Sequence, residues 1–193
     1  MEAMRAPQIV MTGLWVAWWL SWLAAAWWRD RAAAKPSRVR QVGYRLLAAA
    51  GMVLLFGSYR HAFESEVILW RTPEAAGWLL DVGALGGFAF TWWARVHLGR
   101  LWSSNVGRKA GHHVVDTGPY GIVRHPIYTG ISVSAIATAV LRGTLAGWAG
   151  FAIMTIGWIV KARLEEEFLR AELGAGAYDA YARRVPMLVP FLR

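Results

Sequence analysis

The chain has 193 residues, of which 56% are apolar and 13 are tryptophan, and its formal net charge is +9. So apolar a composition points away from an ordinary soluble domain. The basic residues stand beside apolar runs instead of forming a stripe interleaved with exposed aromatics, which points away from nucleic acid and toward topology signals and anchors on anionic lipid. With no cysteine, disulfides, thiolate catalysis and thiolate metal sites are excluded together.

Taken in order, the sequence predicts five membrane-crossing helices. The first apolar run, Gln8 to Trp28, has the roughly 20 residues that a spanning helix needs. Ala24-Ala25-Ala26 could mark a cleaved signal, but the run is longer than a signal core and ends in Trp27-Trp28, which suits an interfacial belt. The basic loop from Arg29 to Arg40 belongs inside, which puts the N-terminus outside. A second span covers Val42 to Ser58, and the loop after it (Arg60 to Glu66, with His61) mixes both charge signs and fits the outer face. Thr72-Pro73-Glu74 reads as an N-cap, a first-turn proline and a first-turn acid opening a third span that reaches Trp93. Within it, Gly83, Gly86 and Gly87 suit close packing by a neighbouring helix, and no strand precedes them to make a nucleotide fingerprint. Arg95, Arg100, Arg108 and Lys109 return the chain to the inner side. A fourth span runs from Pro126 to Leu141, Arg142-Gly143-Thr144 makes a tight outer turn, and a fifth runs from Leu145 to Val160. A tail of mixed charge follows, Lys161 to Arg193. No repeat, low-complexity tract or linker divides the chain, so residues 1–193 are expected to form one domain, 1–94 bringing three spans and 95–193 the functional half.

The polar residues concentrate in His112 to Gly130, between apolar segments. Pro126 is favoured at a first helical position and pushes His125 out of helical conformation. Arg124 and His125 thus sit at a helix mouth, where free N–H groups and the helix dipole favour an anion. The hairpin of the last two spans sets this mouth beside Glu165-Glu166-Glu167, so that Arg124, His125, Glu165 and Glu166 can converge on one pocket. An alternative stays open in which the glutamates pair with Lys161, Arg163 or Arg170 on a solvated helix face. A metal site is not expected: the chain has five histidines, and adjacent His112-His113 lacks the spacing that sets two ligands on one helix face. Asp81 lies within the third span, where a carboxylate is costly and marks either a functional group or a hydrogen-bonded helix contact. His61 and His97 need no special role. The tryptophans read as belt and lipid-facing residues, with Trp92, Trp93 and Trp102 near enough to line the pocket.

The run Gly118-Pro119-Tyr120, then Val123-Arg124-His125-Pro126, Tyr128 and Gly130, followed by Glu165-Glu166 and a tyrosine-rich basic tail ending in Val189-Pro190, resembles the isoprenylcysteine carboxyl methyltransferase family, related to the membrane phospholipid N-methyltransferases. The likeness extends from about His97-Leu98-Gly99 to the C-terminus. It implies an all-α, polytopic bundle of about five spans with a cytoplasmic site for S-adenosylmethionine, released as S-adenosylhomocysteine. By position, His112, Val114, Val115, Gly118, Tyr120, His125, Tyr128, Glu165 and Glu166 would hold this cofactor, and Arg124, with Glu166, would lie nearest the reacting groups. The chain departs from the pattern at Tyr178, one position late after Leu173-Gly174, at Met187 where a basic residue is usual, and at Asp116 where threonine is commoner.

The resemblance leads to an expected methyl transfer to a lipophilic carboxylate or thiol that enters from the bilayer. Membrane lipids are the other expected partners, with no nucleic acid and no obligatory protein partner. The setting is a multi-pass membrane protein with its C-terminus in the cytoplasm, as in a prokaryotic inner membrane. A phospholipid amine is the alternative acceptor, and a non-catalytic sensor or assembly protein is the alternative of another class.

Overall fold

The computed structural model describes residues 6–25, 38–57, 66–99 and 114–192. Seven helices and no β-strand occur among them: α1 (Ala6–Ala24), α2 (Arg38–Phe56), α3 (Glu74–Leu98), α4 (Pro119–Ile122), α5 (Pro126–Arg142), α6 (Leu145–Leu173) and α7 (Ala175–Arg184). One of them, spanning Leu145–Glu172, is long and apolar enough to cross a membrane, and Gln41–Phe56 is a shorter apolar helix. The fourth expected span begins at its predicted residue, Pro126. The fifth continues well past Val160, so the two glutamates sit on a continuous helix and not in a loop.

The long helices alternate in direction. Leu141 approaches Gly77 while Gly130 meets Gly87 and Thr91, so α3 and α5 are antiparallel. Gly150 and Gly157 lie beside Leu55 and Leu47, so α2 and α6 are antiparallel too. Pro7 beside Gly77 and Trp18 bonded to Thr91 set α1 parallel to α3. The ends of α1, α3 and α6 and the starts of α2 and α5 consequently share one end of the bundle, where the polar residues collect.

Close backbone approach sets the α3–α5 seam. A Cβ built on Gly87 would lie 2.5 Å from Ser134 Oγ and 2.6 Å from the Gly130 carbonyl oxygen. Ser134 Oγ in turn donates to Ala84 O across the seam at 2.9 Å. Of the three glycines expected to pack, Gly87 alone does so: Gly83 and Gly86 have nothing within 4 Å of a built Cβ. The tryptophans of α1 also differ from the belt expectation. Trp15 and Trp18 are buried against Phe88, at ring distances of 4.9 and 5.4 Å. Their indole N–H groups donate to Thr138 (2.9 Å) and Thr91 (2.8 Å). Trp92 joins this cluster by packing on Trp22 and donating to Ser21, whereas Trp93 is exposed and Trp102 lies outside the described residues. Where lipid offers no hydrogen bonds, a buried indole paired with a threonine links helices more effectively than hydrophobicity alone.

Two further expectations are corrected at helix ends. Pro73, not Thr72, occupies the cap position of α3. The Thr72 hydroxyl donates instead to Val140 O (2.9 Å), a carbonyl of the last turn of α5 that has no helical partner and that Trp70 also caps. Arg95 is not a loop cation. It is 1% exposed within α3, with Nη1 on Gly99 O (3.0 Å) and Nη2 on Ala25 O (3.4 Å), tying the end of α3 to that of α1. Asp81 is buried with no hydrogen-bond partner for either oxygen. It stands 14 residues, about 21 Å of helix, from Arg95 and so from the polar end.

The seam predicts a specific sensitivity. Gly87→Ala forces backbone apart and should destabilise the protein by about 1–3 kcal/mol, whereas Gly83→Ala and Gly86→Ala should leave the unfolding midpoint unchanged or raised. Thermal unfolding of the three variants checks this, and equal midpoints would contradict the packing.

Candidate functional site where the start of α5 meets the end of α6

The His125-Pro126 step shapes the site from below. Pro126 opens α5, and His125 holds a non-helical backbone (φ −124°, ψ 64°). The returning tail takes three donors beside this mouth. Arg124 N donates to Pro186 O (2.8 Å), His125 N to Met187 O (3.1 Å), and the Thr129 hydroxyl to Leu188 O (2.6 Å). The returning tail therefore docks on the start of α5 through its main-chain carbonyls. Met187 acts through its carbonyl, so the absence of a basic side chain there leaves the contact intact.

The four residues expected to converge do so. Glu166, 4% exposed, accepts Arg124 Nε at 2.8 Å and His125 Nε2 at 3.2 Å on Oε1, with Arg170 3.8 Å from Oε2. Glu165 accepts the Tyr128 hydroxyl at 2.7 Å on Oε1 and faces His125 Nδ1 at 3.5 Å with Oε2. Lys161 Nζ stands 3.7 Å from Glu165 Oε1. The solvated-face alternative is half realised: the pairs with Lys161 and Arg170 exist, but on carboxylates turned inward to His125 and Arg124. Arg124 is also a clamp, its Nη1 donating to the carbonyls of Ala182 (3.0 Å) and Val185.

The remaining expected residues fall around this knot. Tyr120 is buried on α4 and its carbonyl accepts the Tyr181 hydroxyl at 2.7 Å. Val114 packs on the Tyr178–Tyr181–Val185 cluster. Val115 is part-buried in the irregular stretch before α4. Gly118 turns with φ +57°, and a Cβ there would lie 2.7 Å from His97 Cε1. His112 and His113 lie outside the described residues, and no metal-holding cluster occurs among those described. Asp116 pairs with Arg184 at 3.1 Å, which gives that departure a partner.

Sequence reasoning missed several members. His97, read as roleless, bonds Thr117 Oγ1 (3.0 Å) and stacks on Tyr120 (6.3 Å), pinning the Gly118 loop to α3. Tyr128 is sandwiched between His125 (5.5 Å) and Trp158 (5.2 Å). Trp158, Lys161 and Glu165 are spaced three and four apart, one face of α6, and that spacing was the available signal. A fit test for a polar ligand comes from the same region. Trp158 Nε1 and the Tyr44 hydroxyl are buried without hydrogen-bond partners, a state that a bound polar molecule would relieve. Carboxylates, a phenol and an imidazole beside stacked rings suit the hydroxyls, ammonium and ring of an adenosyl ligand.

Both ring nitrogens of His125 face carboxylate oxygens, which only accept, so the ring serves this geometry as imidazolium. Burial works against that charge, but the bonds to Glu165 and Glu166 outweigh it and hold the His125 pKa above its ordinary value. With the folded pKa raised, the stability it contributes is full below the unfolded value of about 6.5 and is lost as pH rises through the folded pKa. The unfolding midpoint of wild type should therefore exceed that of His125→Asn by more at about pH 6 than at about pH 9. A pH-independent difference would contradict the charged ring.

Residues 79–170, which hold α5, Arg124, His125 and both glutamates, match the model of the isoprenylcysteine carboxyl methyltransferase family. Methanethiol S-methyltransferase 2 of Bradyrhizobium diazoefficiens is 34% identical over 176 residues, covering 86% of this chain and 64% of the relative. Protein-S-isoprenylcysteine O-methyltransferase B of Arabidopsis thaliana is 32% identical over 88 residues, 45% of this chain and 44% of the relative. Cobalt-zinc-cadmium resistance protein CzcN of Cupriavidus metallidurans is 28% identical over 141 residues, 72% of this chain and 57% of the relative. The chain spans less than two thirds of the length of each. Residues 79–170, the segment that builds the polar knot, are thus the part of the chain that carries its likeness to the isoprenylcysteine carboxyl methyltransferase family.

Proposed function

We propose that the protein is a membrane methyltransferase that uses S-adenosylmethionine and acts on a lipophilic acceptor carrying a carboxylate or thiolate. One observation carries the reading: two adjacent carboxylates, Glu166 buried and Glu165 part-buried, on the segment that matches the family, are surrounded by Arg124, His125, Lys161 and Arg170. The cofactor supplies a methyl group on a sulfonium; an acceptor anion gives the electron pair for the new bond, and the pair of the broken carbon–sulfur bond stays on S-adenosylhomocysteine. A carboxylate acceptor has no proton to lose, whereas a thiol acceptor must first give up its proton to solvent and react as the thiolate. The protein's share of the work is alignment and electrostatics.

In this reading Glu165 and Glu166 hold the cofactor together with His125, Tyr128, Tyr120, Gly118, Val114, Val115 and His112. Arg124 and Glu166 lie nearest the reacting groups. Arg124 also acts by position, since it binds Glu166 and the tail carbonyls at once and so couples closure of the tail to the carboxylate. A surplus of cations favours an anionic acceptor over a phospholipid amine. The alignment with a methanethiol S-methyltransferase over most of the chain supports a thiol as the second form of acceptor.

The alternating helices support five crossings, with the knot at the cytoplasmic end of one domain. Outward residues such as Leu46, Val53, Leu79 and Val82 are apolar and exposed, which suits contact with lipid.

Labelled S-adenosylmethionine should transfer its methyl group to an S-prenylated cysteine carboxylate or an alkyl thiol and not to phosphatidylethanolamine. Labelling of the ethanolamine lipid alone would overturn the anionic acceptor. Arg124→Ala should lower turnover by ~100-fold or more and Arg124→Lys by less, because a lysine ammonium keeps the charge beside Glu166 but cannot reach Glu166 and the two tail carbonyls at once as Nε and Nη1 do. Wild-type turnover in Arg124→Ala would remove the residue from the mechanism.

A further inference from the structure

The indoles of the bundle differ in what orients them. Trp15, Trp18 and Trp92 each donate through Nε1 to a side-chain hydroxyl on another helix. The Trp158 N–H is buried and has no acceptor, so no hydrogen bond fixes its ring. Stacking does: its plane lies 2° from that of Tyr128, with the centroids 5.2 Å apart. The Tyr128 ring in turn lies 11° from the His125 ring at 5.5 Å. Three nearly parallel rings, from α6, α5 and the residue at the cap position of α5, thus form one column.

The column ends on a carboxylate. Trp158 and Glu165 are seven residues apart on α6, two turns and about 10.5 Å, and the two ring steps cover a comparable height. Both polar members of the column meet Glu165: the Tyr128 hydroxyl donates to Oε1 at 2.7 Å, and His125 Nδ1 stands 3.5 Å from Oε2. Tyr128 is joined to α5 through two rotatable bonds, so its hydroxyl stays on Oε1 only while its ring plane is held. His125 bounds one face of the ring, and Trp158 supports the other. Lys161 also approaches, 5.1 Å from the Tyr128 centroid, but an ammonium on a flexible four-carbon stem sets no ring plane.

We propose that Trp158 is a positioning residue of the cofactor site: its indole face holds Tyr128 in the plane from which the phenol and His125 grip both oxygens of Glu165. The role rests on the methyl-transfer reading, in which Tyr128 and Glu165 hold S-adenosylmethionine. Trp158 acts before the cofactor arrives, because a carboxylate already fixed in one orientation lowers the ordering cost of association.

The test is a double-mutant cycle on the whole chain in detergent, read as affinity for S-adenosylhomocysteine by calorimetric titration. Trp158→Ala should weaken binding about tenfold, and Trp158→Phe, which keeps a stacking face, should restore most of the affinity. Tyr128→Phe, which keeps the ring and deletes the hydroxyl, should also weaken binding about tenfold. Adding Trp158→Ala to Tyr128→Phe should then cost less than about twofold more, because no hydroxyl is left to place. A tryptophan that only fills space would add its whole loss in that background. Wild-type affinity in Trp158→Ala, an equal loss in Trp158→Phe, or additive losses in the cycle would each overturn the proposal. If Trp158→Ala fails to fold, Trp158→Leu, which fills most of the space without a ring face, takes its place in the cycle. No binding by folded wild type would remove the methyl-transfer reading and this role with it. Binding by wild type with additive losses would remove this role alone.

Discussion

The structure depends on keeping two neighbouring carboxylates out of water. Glu165 and Glu166 are adjacent on one helix, so their charges repel, and burial penalises both. They are stable as anions because Arg124, His125, Tyr128, Lys161 and Arg170 converge on them from two helices and the linker before α5. Removing one partner from such a group leaves buried charge uncompensated, so the network is all or nothing in energetic terms. The surrounding fold serves that requirement: α5 and α6 meet at one end because a tight turn joins them at the other, and the tail is held against α5 by the same arginine that binds Glu166.

This arrangement ties the tail to the site chemically. The carbonyls of Pro186, Met187 and Leu188 take the donors at the start of α5. Tyr181 and Arg184 of α7 bind the loop that carries Gly118 and Tyr120. A tail that docks through main-chain oxygens tolerates changes in its side chains, which is why Met187 and the shifted Tyr178 do not break it. Tyr178 remains 2% exposed at the centre of the tail cluster.

Much of the site was legible because its signals are local. Proline at 126 fixes where α5 begins, and Arg142-Gly143-Thr144 fixes where it turns. Counting equal lengths from that turn brings Arg124 and His125 level with residues 161–162, one helical turn before the two glutamates. What could not be read was the rotation of each helix. A helix whose neighbours are either lipid or other helices is apolar on every side, so periodicity no longer separates inward from outward. For that reason Trp15 and Trp18 looked like belt residues, Gly83 and Gly86 looked like packing residues, and Arg95 looked like a loop cation. The tail's grip on α5 was hidden for a different reason, since carbonyl acceptors carry no residue-type signature. Lys161 was visible but ambiguous: the same four-residue spacing to Glu165 describes a surface ion pair and a buried one.

The central claim is that this buried knot is the seat of an S-adenosylmethionine site. The most direct measurement is a calorimetric titration of the unmodified protein, shown to be folded in detergent, with S-adenosylhomocysteine. The account predicts saturable binding at one ligand per chain, weakened in Glu166→Gln. Absence of heat from binding in the folded protein would contradict it, and would leave the knot as a structural device inherited with the family's fold.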